Sequence, residues 1–326
     1  MGHSSSKPHW DGSEIPSQAG KIVIITGANS GIGYVTARTL AERGARVVLA
    51  CRSESRGRTA EEEMTAYLEE LKGKRTGALT GSVEFMQVDM SNLASVRAFA
   101  EQVRRNPAFP RVDLLINNAG VVFPPNPFTA DGIETQFGVN HVGHFLLTAL
   151  LFDLLKASPA ARVVSLGSLA HQGVPSLEFD SLVKGTDHPW KRYGKSKLAN
   201  LLFTYELGRR LEASKTTNVI SVAAHPGLSY TSIEDKMIEA TFPKFLHSFM
   251  GWVVKLVPLQ PPEMGALPTL YAATVEDVAN GEYYGPHRGR RGYPVKEQSD
   301  PPSHNREEAT RLWTLSEELT GETFAI

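Results

Sequence analysis

Short runs of β-branched and aliphatic residues alternate along this chain with longer stretches whose apolar positions recur every three to four residues. The runs Lys21 to Thr26, Arg46 to Cys51, Val83 to Val88, Val112 to Ile116, Arg162 to Leu166 and Asn218 to Ala223 read as strands, because short β-rich segments bounded by turn residues suit a pleated ribbon. Between them Ile32 to Arg43, Ser53 to Leu71, Leu93 to Arg104, Ile133 to Leu155 and Lys191 to Leu211 carry helical periodicity. Strands such as Ile22-Val23-Ile24-Ile25 and Leu114-Leu115-Ile116 are apolar on both faces, which calls for helices on both sides of a parallel sheet. The alternation predicts a single doubly wound α/β domain.

Three segments depart from that rhythm. Residues 1–19 are polar and read as a flexible extension ahead of a domain spanning 20–326, with Gly2 to Ser6 left out of fold reasoning. Lys72 to Gly81, rich in Gly, Lys and Thr, reads as a surface loop before the third strand. Ser229 to Pro262 holds a dense apolar cluster, including Met237, Phe242, Phe245, Phe249, Met250 and Trp252, interrupted by Lys236, Lys244, His247 and Lys255. That mixture predicts amphipathic helices forming a substrate lid over about 229–262, helped by the loop Gly173 to Trp190. A hairpin packed on the core or on a second subunit, and a surface resting on lipid, are the alternatives.

Charge and composition narrow the ligand. Thirty-four basic residues balance thirty-five acidic ones for a net charge of −1, which argues against nucleic acid and leaves a small-molecule partner. Peripheral membrane contact is not expected, and homo-oligomerisation stays open. Cys51 is the sole cysteine, so an intrachain disulfide is excluded and a reducing, cytoplasmic location is the expectation. The first twenty residues lack the apolar core of a signal peptide, and the reading finds no stretch of the roughly 18 to 20 apolar residues of a membrane span.

The chemistry sits in two places. Gly27, Gly31 and Gly33 fall between the first strand and the first helix, where backbone amides and a helix N-terminus can meet a pyrophosphate. Tyr193 and Lys197 stand one helical turn apart. An ammonium on the same helix face stabilises a phenolate and brings down a reference pKa of about 10, and a phenol so tuned can protonate a carbonyl oxygen as hydride reaches its carbon. Ser168, at the end of the fifth strand, is placed to hydrogen-bond that carbonyl, with Ser165 a weaker candidate whose hydroxyl is expected to satisfy local backbone. Asn140 falls mid-helix, where its propensity is poor, and so suggests a role such as holding a water that relays protons from Lys197.

Past the second strand, Arg52 and, further on, Arg56 occupy the region where an acid would bind a ribose 2′-hydroxyl. A guanidinium there suits a 2′-phosphate and predicts NADP(H). His141 and His144 have metal-like spacing but apolar neighbours, so they read as core or interface residues and no metal is expected. His171 and His225 flank the presumed site and either contact substrate or pack.

From about Lys21 to Tyr284 these motifs resemble the short-chain dehydrogenase/reductase family, in family order. The resemblance implies a Rossmann-type fold in which Thr26 to Gly33, with Asn29, Ser30 and Ile32, forms the nucleotide-binding turn. Asp89, beside Met90, is the adenine-contacting acid, and Asn117-Asn118-Ala119-Gly120 ends strand four at the cofactor. Asn140, Ser168, Tyr193 and Lys197 match the catalytic tetrad, with Tyr193 and Lys197 also reaching the cofactor, and His225-Pro226-Gly227 followed by Thr231 flanks the nicotinamide. Ala50-Cys51-Arg52, Ser168-Leu169-Ala170-His171 and the 25-residue gap from Ser168 to Tyr193 look most like retinol-dehydrogenase-type members and their bacterial and fungal relatives. Many relatives have two serines where this chain has Gly167-Ser168. The resemblance implies an NADPH-dependent reductase of a lipophilic aldehyde or ketone, or the reverse alcohol dehydrogenase. A light-dependent protochlorophyllide-type reductase and a non-catalytic NADP-sensing protein are the competing readings.

Overall fold

β1 (Ile22–Thr26) is buried at every position. Its odd and even residues enter two different cores, Val23 and Ile25 on one face, Ile22 and Ile24 on the other. In this computed structural model, which describes residues 9–74, 80–229 and 259–326, β1 lies inside an eight-stranded sheet of order β3-β2-β1-β4-β5-β6-β7-β8. The strands are β2 (Arg46–Cys51), β3 (Ser82–Gln87), β4 (Leu114–Asn117), β5 (Ala161–Leu166), β6 (Val219–Ala224), β7 (Tyr283–Pro286) and β8 (Pro294–Glu297). All pairings are parallel except β7 with β8. The chain is a doubly wound, Rossmann-type α/β domain.

One face is covered by α1 (Gly31–Glu42), α2 (Glu54–Lys74) and a later helix numbered α7 (Pro262–Thr274). The other carries α3 (Leu93–Arg105), α4 (Thr135–Lys156), α6 (Pro189–Ala213) and the C-terminal α8 (Arg306–Thr320), with the short α5 (Phe179–Lys184) leading into α6. Strand order reverses between β1 and β4, so the carboxyl ends of those strands diverge and leave a crevice.

The predicted elements form, with shifts of a residue or two, and four features differ. Residues 9–19 are not a free extension: Ile15 and Gln18 are buried, Gln18 N donates to Arg43 O at 2.7 Å, and Trp10 packs edge-on against Tyr271. α2 continues to Lys74, beyond the predicted loop start, and residues 75–79 lie outside the described residues. The helix around Asn140 contains a π-turn at Gly138–Val142. Among the described residues, α4 is the one helix long and apolar enough to cross a bilayer, a property the sequence reading did not register; here most of it is buried in the fold.

β7, β8, α7 and α8 were not read from the sequence. α8 completes a core. Trp313 is 2 % exposed, stacked on Phe203 of α6 and Phe324, edge-on to Phe145 of α4, with the Arg210 guanidinium 4.2 Å from its ring. Truncating a buried Trp removes transfer energy and leaves a cavity, at a cost of about 3–5 kcal/mol. Trp313→Ala should therefore lower the unfolding free energy of the whole domain, measured by urea denaturation, by that amount in a single transition; an unchanged midpoint would make α8 an appendage.

Candidate active site

At the end of β1 the chain must turn tightly enough for α1 to start above the strand. Gly27 and Gly31 take left-handed backbone angles of φ 68° and 55°, and a Cβ on Gly33 would lie 2.5 Å from Gly27 O. Only glycine fits that approach. Ser30, the N-cap of α1, makes no capping hydrogen bond through its side chain, so the first amides of α1 stay available at a positive helix end. Gly27, Asn29, Ser30, Gly31, Ile32 and Gly33 all line one cleft of about 1060 Å³.

The cleft continues past β2 and β3. Arg52 and Arg56 line it, both exposed, whereas Arg58 is held by Glu61 at 3.4 Å and Glu54 at 3.9 Å. Asp89 and Met90 line it after β3, with Asp89 Oδ1 accepting from the amide and hydroxyl of Ser91. After β4 the wall is made by Asn118, Ala119, Gly120 and Val121. Asn117 is a correction to the expected set. Its side chain is buried and donates to Thr148 Oγ1 at 3.1 Å, because the strand alternation that brings Asn118 to the crevice turns Asn117 into the core.

The candidate reacting groups come from the end of β5 and the first turns of α6. Tyr193, Lys197 and Ser168 line the same cleft. Lys197 is 5 % exposed; its Nζ donates to Leu166 O at 2.9 Å and stands 5.9 Å from the Tyr193 ring centroid. Burial brings its pKa down to about 8. Ser168 caps the short turn Leu169–His171, its Oγ accepting from Ala170 N at 3.2 Å. Ser165 is buried in β5 and its hydroxyl has no hydrogen-bond partner among the described residues, contrary to the expected local backbone bond. A Cβ on Gly167 would come 3.4 Å from the Tyr283 ring, so Tyr283 occupies the room into which a side chain at 167 would grow.

Asn140 is placed differently from its expected role. It is fully buried behind the wall, with Oδ1 accepting from Val121 N at 2.7 Å and Nδ2 donating to Val121 O at 3.1 Å and Ser196 Oγ at 2.9 Å. The side chain ties the β4 loop to α6 and its two amide hydrogens are committed. It still approaches Lys197: a Cβ on Gly120 would lie 3.4 Å from Asn140 Oδ1 and 3.6 Å from Lys197 Nζ.

The histidines pack. His141 Nε2 bonds Ser316 Oγ at 2.8 Å, and His144 bonds Thr26 and Asn140 O, so the two rings face different partners. Burial holds their pKa values down, to about 3 and about 4. Neither His171 nor His225 lines the cleft. His171 Nδ1 bonds Ser168 O at 2.6 Å, and His225 Nε2 bonds Glu297 at 2.7 Å while its Nδ1 accepts from Gly227 N at 3.2 Å. Pro226, Gly227, Leu228, Ser229 and Leu259 do line the cleft. Gln260 fixes that turn by donating to Pro226 O at 2.7 Å and Ser229 Oγ at 3.1 Å; a glutamine beyond an apolar segment gave no signal in the sequence. Thr231 and residues 230–258 of the expected lid over about 229–262 fall outside the described residues.

The loop from Gly173 to Trp190 is fastened by Lys195, fully buried, which bonds Glu178 and Asp187 at 2.5 Å and Ser181 Oγ at 2.6 Å. Those bonds and the Lys191 pair hold the Asp187 carboxyl well below the usual carboxylate range against its partial burial. The loop ends on Trp190, which lines the cleft and stacks on Tyr193 with centroids 5.8 Å apart.

The profile of the short chain dehydrogenase family matches residues 21–241. Among curated relatives, retinol dehydrogenase 13 of Homo sapiens is 38% identical over 325 residues, covering 97% of this chain and 90% of the relative. Retinol dehydrogenase 12 of Mus musculus is 39% identical over 306 residues, covering 93% and 87%. A solved structure of an uncharacterized protein from Mycobacterium paratuberculosis is similar over 98% of this chain and 100% of that chain, at 36% identity and a TM-score of 0.76. L-sorbose reductase from Gluconobacter frateurii shares the fold at 20% identity and a TM-score of 0.63, over 85% and 97% of the two chains. With its glycine turn and tyrosine–lysine pair on one cleft, the chain belongs to the short-chain dehydrogenase/reductase family of nicotinamide-dependent oxidoreductases and is similar to retinol dehydrogenases.

Proposed function

We propose that the protein transfers hydride between NADP(H) and a lipophilic aldehyde, ketone or corresponding alcohol, with Tyr193 exchanging the proton at the substrate oxygen. The observation that carries this reading is a single cleft lined both by the uncapped N-terminus of α1 and by Ser168, Tyr193 and Lys197. The helix end and glycine turn suit a pyrophosphate. The nicotinamide, when bound, supplies or accepts the hydride. Ser168 holds the substrate oxygen, Tyr193 gives it a proton, and the Lys197 ammonium offers positive charge to the phenol oxygen that has lost one.

Arg52 and Arg56 support a 2′-phosphate, since both line the cleft and neither has a carboxylate partner among the described residues. An apolar substrate is favoured by Leu169, Val174, Trp190, Leu228 and Leu259 in the wall, each able to bury roughly 1.5–3 kcal/mol of apolar contact at most. The protochlorophyllide-type reading is disfavoured because Cys51 is buried off the cleft, its thiol pushed up to about 11 by burial. The sensor reading is disfavoured by the presence of the whole tetrad. An NADPH-oxidation screen across aldehydes and ketones graded by size and polarity tests the proposal: turnover should favour large apolar carbonyls, and a preference for sugars or short keto acids would overturn it.

Tyr193→Phe should bind NADPH nearly as wild type and lose about 10² to 10⁴ in turnover; activity within threefold would remove Tyr193 from the mechanism. Arg52→Ala should weaken NADPH by about tenfold to a hundredfold, one charge-assisted bond being worth roughly 1.5–3 kcal/mol, and NADH hardly at all. Equal losses in isothermal titration would assign Arg52 a structural part. Because burial lowers the Lys197 pKa to about 8, its cation is present below that pH and lost above it. The kcat/KM for the cofactor, which reports the free enzyme, should therefore fall as pH rises through about 8, and a flat profile to pH 10 would separate Lys197 from catalysis.

A further inference from the structure

His144 lies on α4 just beyond the π-turn, buried at 3 % exposure, and its two ring nitrogens reach residues behind the cleft wall, Asn140 and Thr26. Its Nδ1 is 3.1 Å from the main-chain oxygen of Asn140, and its Nε2 is 2.8 Å from Thr26 Oγ1, the last residue of β1 before the glycine turn. The proton positions follow from the partners. A carbonyl only accepts, so Nδ1 carries the hydrogen. Thr26 Oγ1 already accepts from the amides of Asn118 at 3.0 Å and Ala119 at 2.9 Å, so its own hydrogen goes to the bare Nε2, the Ile116 carbonyl being farther at 3.5 Å. Each polar atom of this buried circuit then has a partner. Burial, and after it the nearby Lys197 charge, bring the ring's pKa down to about 4.

We propose that His144 is a positioning residue that sets the register of the Asn140 π-turn against the glycine turn and the β4 loop, so that cofactor seating and the reacting end of the cleft are fixed by one imidazole. The ring reaches the π-turn directly, through Asn140 O. A π-turn places its carbonyls out of helical register, and one left without a donor in a dry interior is costly. Asn140 O receives the His144 Nδ1 hydrogen, while the same ring steadies Thr26, whose hydroxyl collects two amides of the β4 loop. The inference rests on the cleft being the NADP(H) site, and the wild-type enzyme tests that first: without NADPH binding and carbonyl-dependent turnover the functional reading fails before any variant is compared.

Three variants then separate the two contacts. His144→Leu removes the ring donor to Asn140 O and the acceptor for the Thr26 hydroxyl hydrogen, and should lower NADPH affinity and kcat by about tenfold each. His144→Asn places an amide near the Nδ1 position only, and should restore kcat but not affinity. His144→Gln reaches the Nε2 position only, and should restore affinity but not kcat. Variants that all stay within threefold of wild type, or that lose both parameters together in proportion to Tm, would overturn the proposal. Should the variants not fold, imidazole ¹⁵N shifts of the wild-type protein decide it: a ring protonated at Nδ1 and untitrated between about pH 6 and 8 supports the circuit, and a ring protonated at Nε2 or titrating in that range overturns it.

Discussion

One backbone oxygen sets the geometry of the reacting end. Leu166 O, the last carbonyl of β5, accepts from Lys197 Nζ at 2.9 Å and from Asn200 Nδ2 at 3.0 Å. The two donors lie three residues apart on α6 and so share a helix face. Burying an ammonium is costly unless its hydrogens find oxygen, and here the carboxyl end of an interior strand provides one, with no carboxylate paired to Lys197 among the described residues. The same bonds fix how α6 sits on the sheet, which places Tyr193, one turn before Lys197, at the mouth of β5. Tyr193 is in turn stacked by Trp190, so an interior carbonyl governs the position of rings at the cleft surface.

The rest of the site is built by close approaches that admit no side chain. Gly33 lets α1 sit over Gly27 O, and a Cβ on Gly285 would fall 1.9 Å from His225 Nε2. Gly285 belongs to β7, far from the glycine turn in sequence, yet it is required so that His225 can bond Glu297 of β8 and accept from Gly227. β7 and β8 therefore do more than extend the sheet. They hold the turn that forms the wall opposite Ser168, whose carbonyl is held by His171, and both histidine rings rest against the buried Tyr283.

Where the sequence was legible, one local pattern decided the outcome. The six apolar strands, the glycine spacing and the Tyr193–Lys197 interval each report on a handful of neighbouring residues, and each forms close to where it was read. What escaped depends on distant partners. Asn117 and Asn118 are identical residues, and only the pleat of β4 against α4 sends one to Thr148 and the other to the cleft. Ile15 looked like part of a polar leader because its burial is supplied by residues beyond the extension, in the core that α1 and α7 share. Asn140 was singled out correctly by its poor helix propensity, but its partner Val121 lies across a loop, so the reason for its placement was invisible. β7, at four residues, has too little pattern to announce itself without the strand it pairs with.

The two halves of the cleft are held by different kinds of bond, and this bears on how each can change. The cofactor half is carried by strand ends and main-chain turns: Gly27 N bonds Ala50 O, and Asn118 and Ala119 amides meet Thr26. Altering it means altering the sheet. The substrate half hangs on side-chain clamps outside the sheet core, Lys195 on the loop before Trp190 and Gln260 on the turn from Pro226 to Ser229. A clamp can be exchanged by one substitution while the strands and their hydrogen bonds stay as they are, and loops carried by a rigid scaffold are where binding specificity resides. Lys195 is fully buried, so taking away its carboxylates would strand an interior ammonium, whereas Glu178 and Asp187 keep Lys191 as a partner when Lys195 is replaced. The loop before Trp190 is thus held in a single arrangement for as long as that buried ammonium keeps its carboxylates.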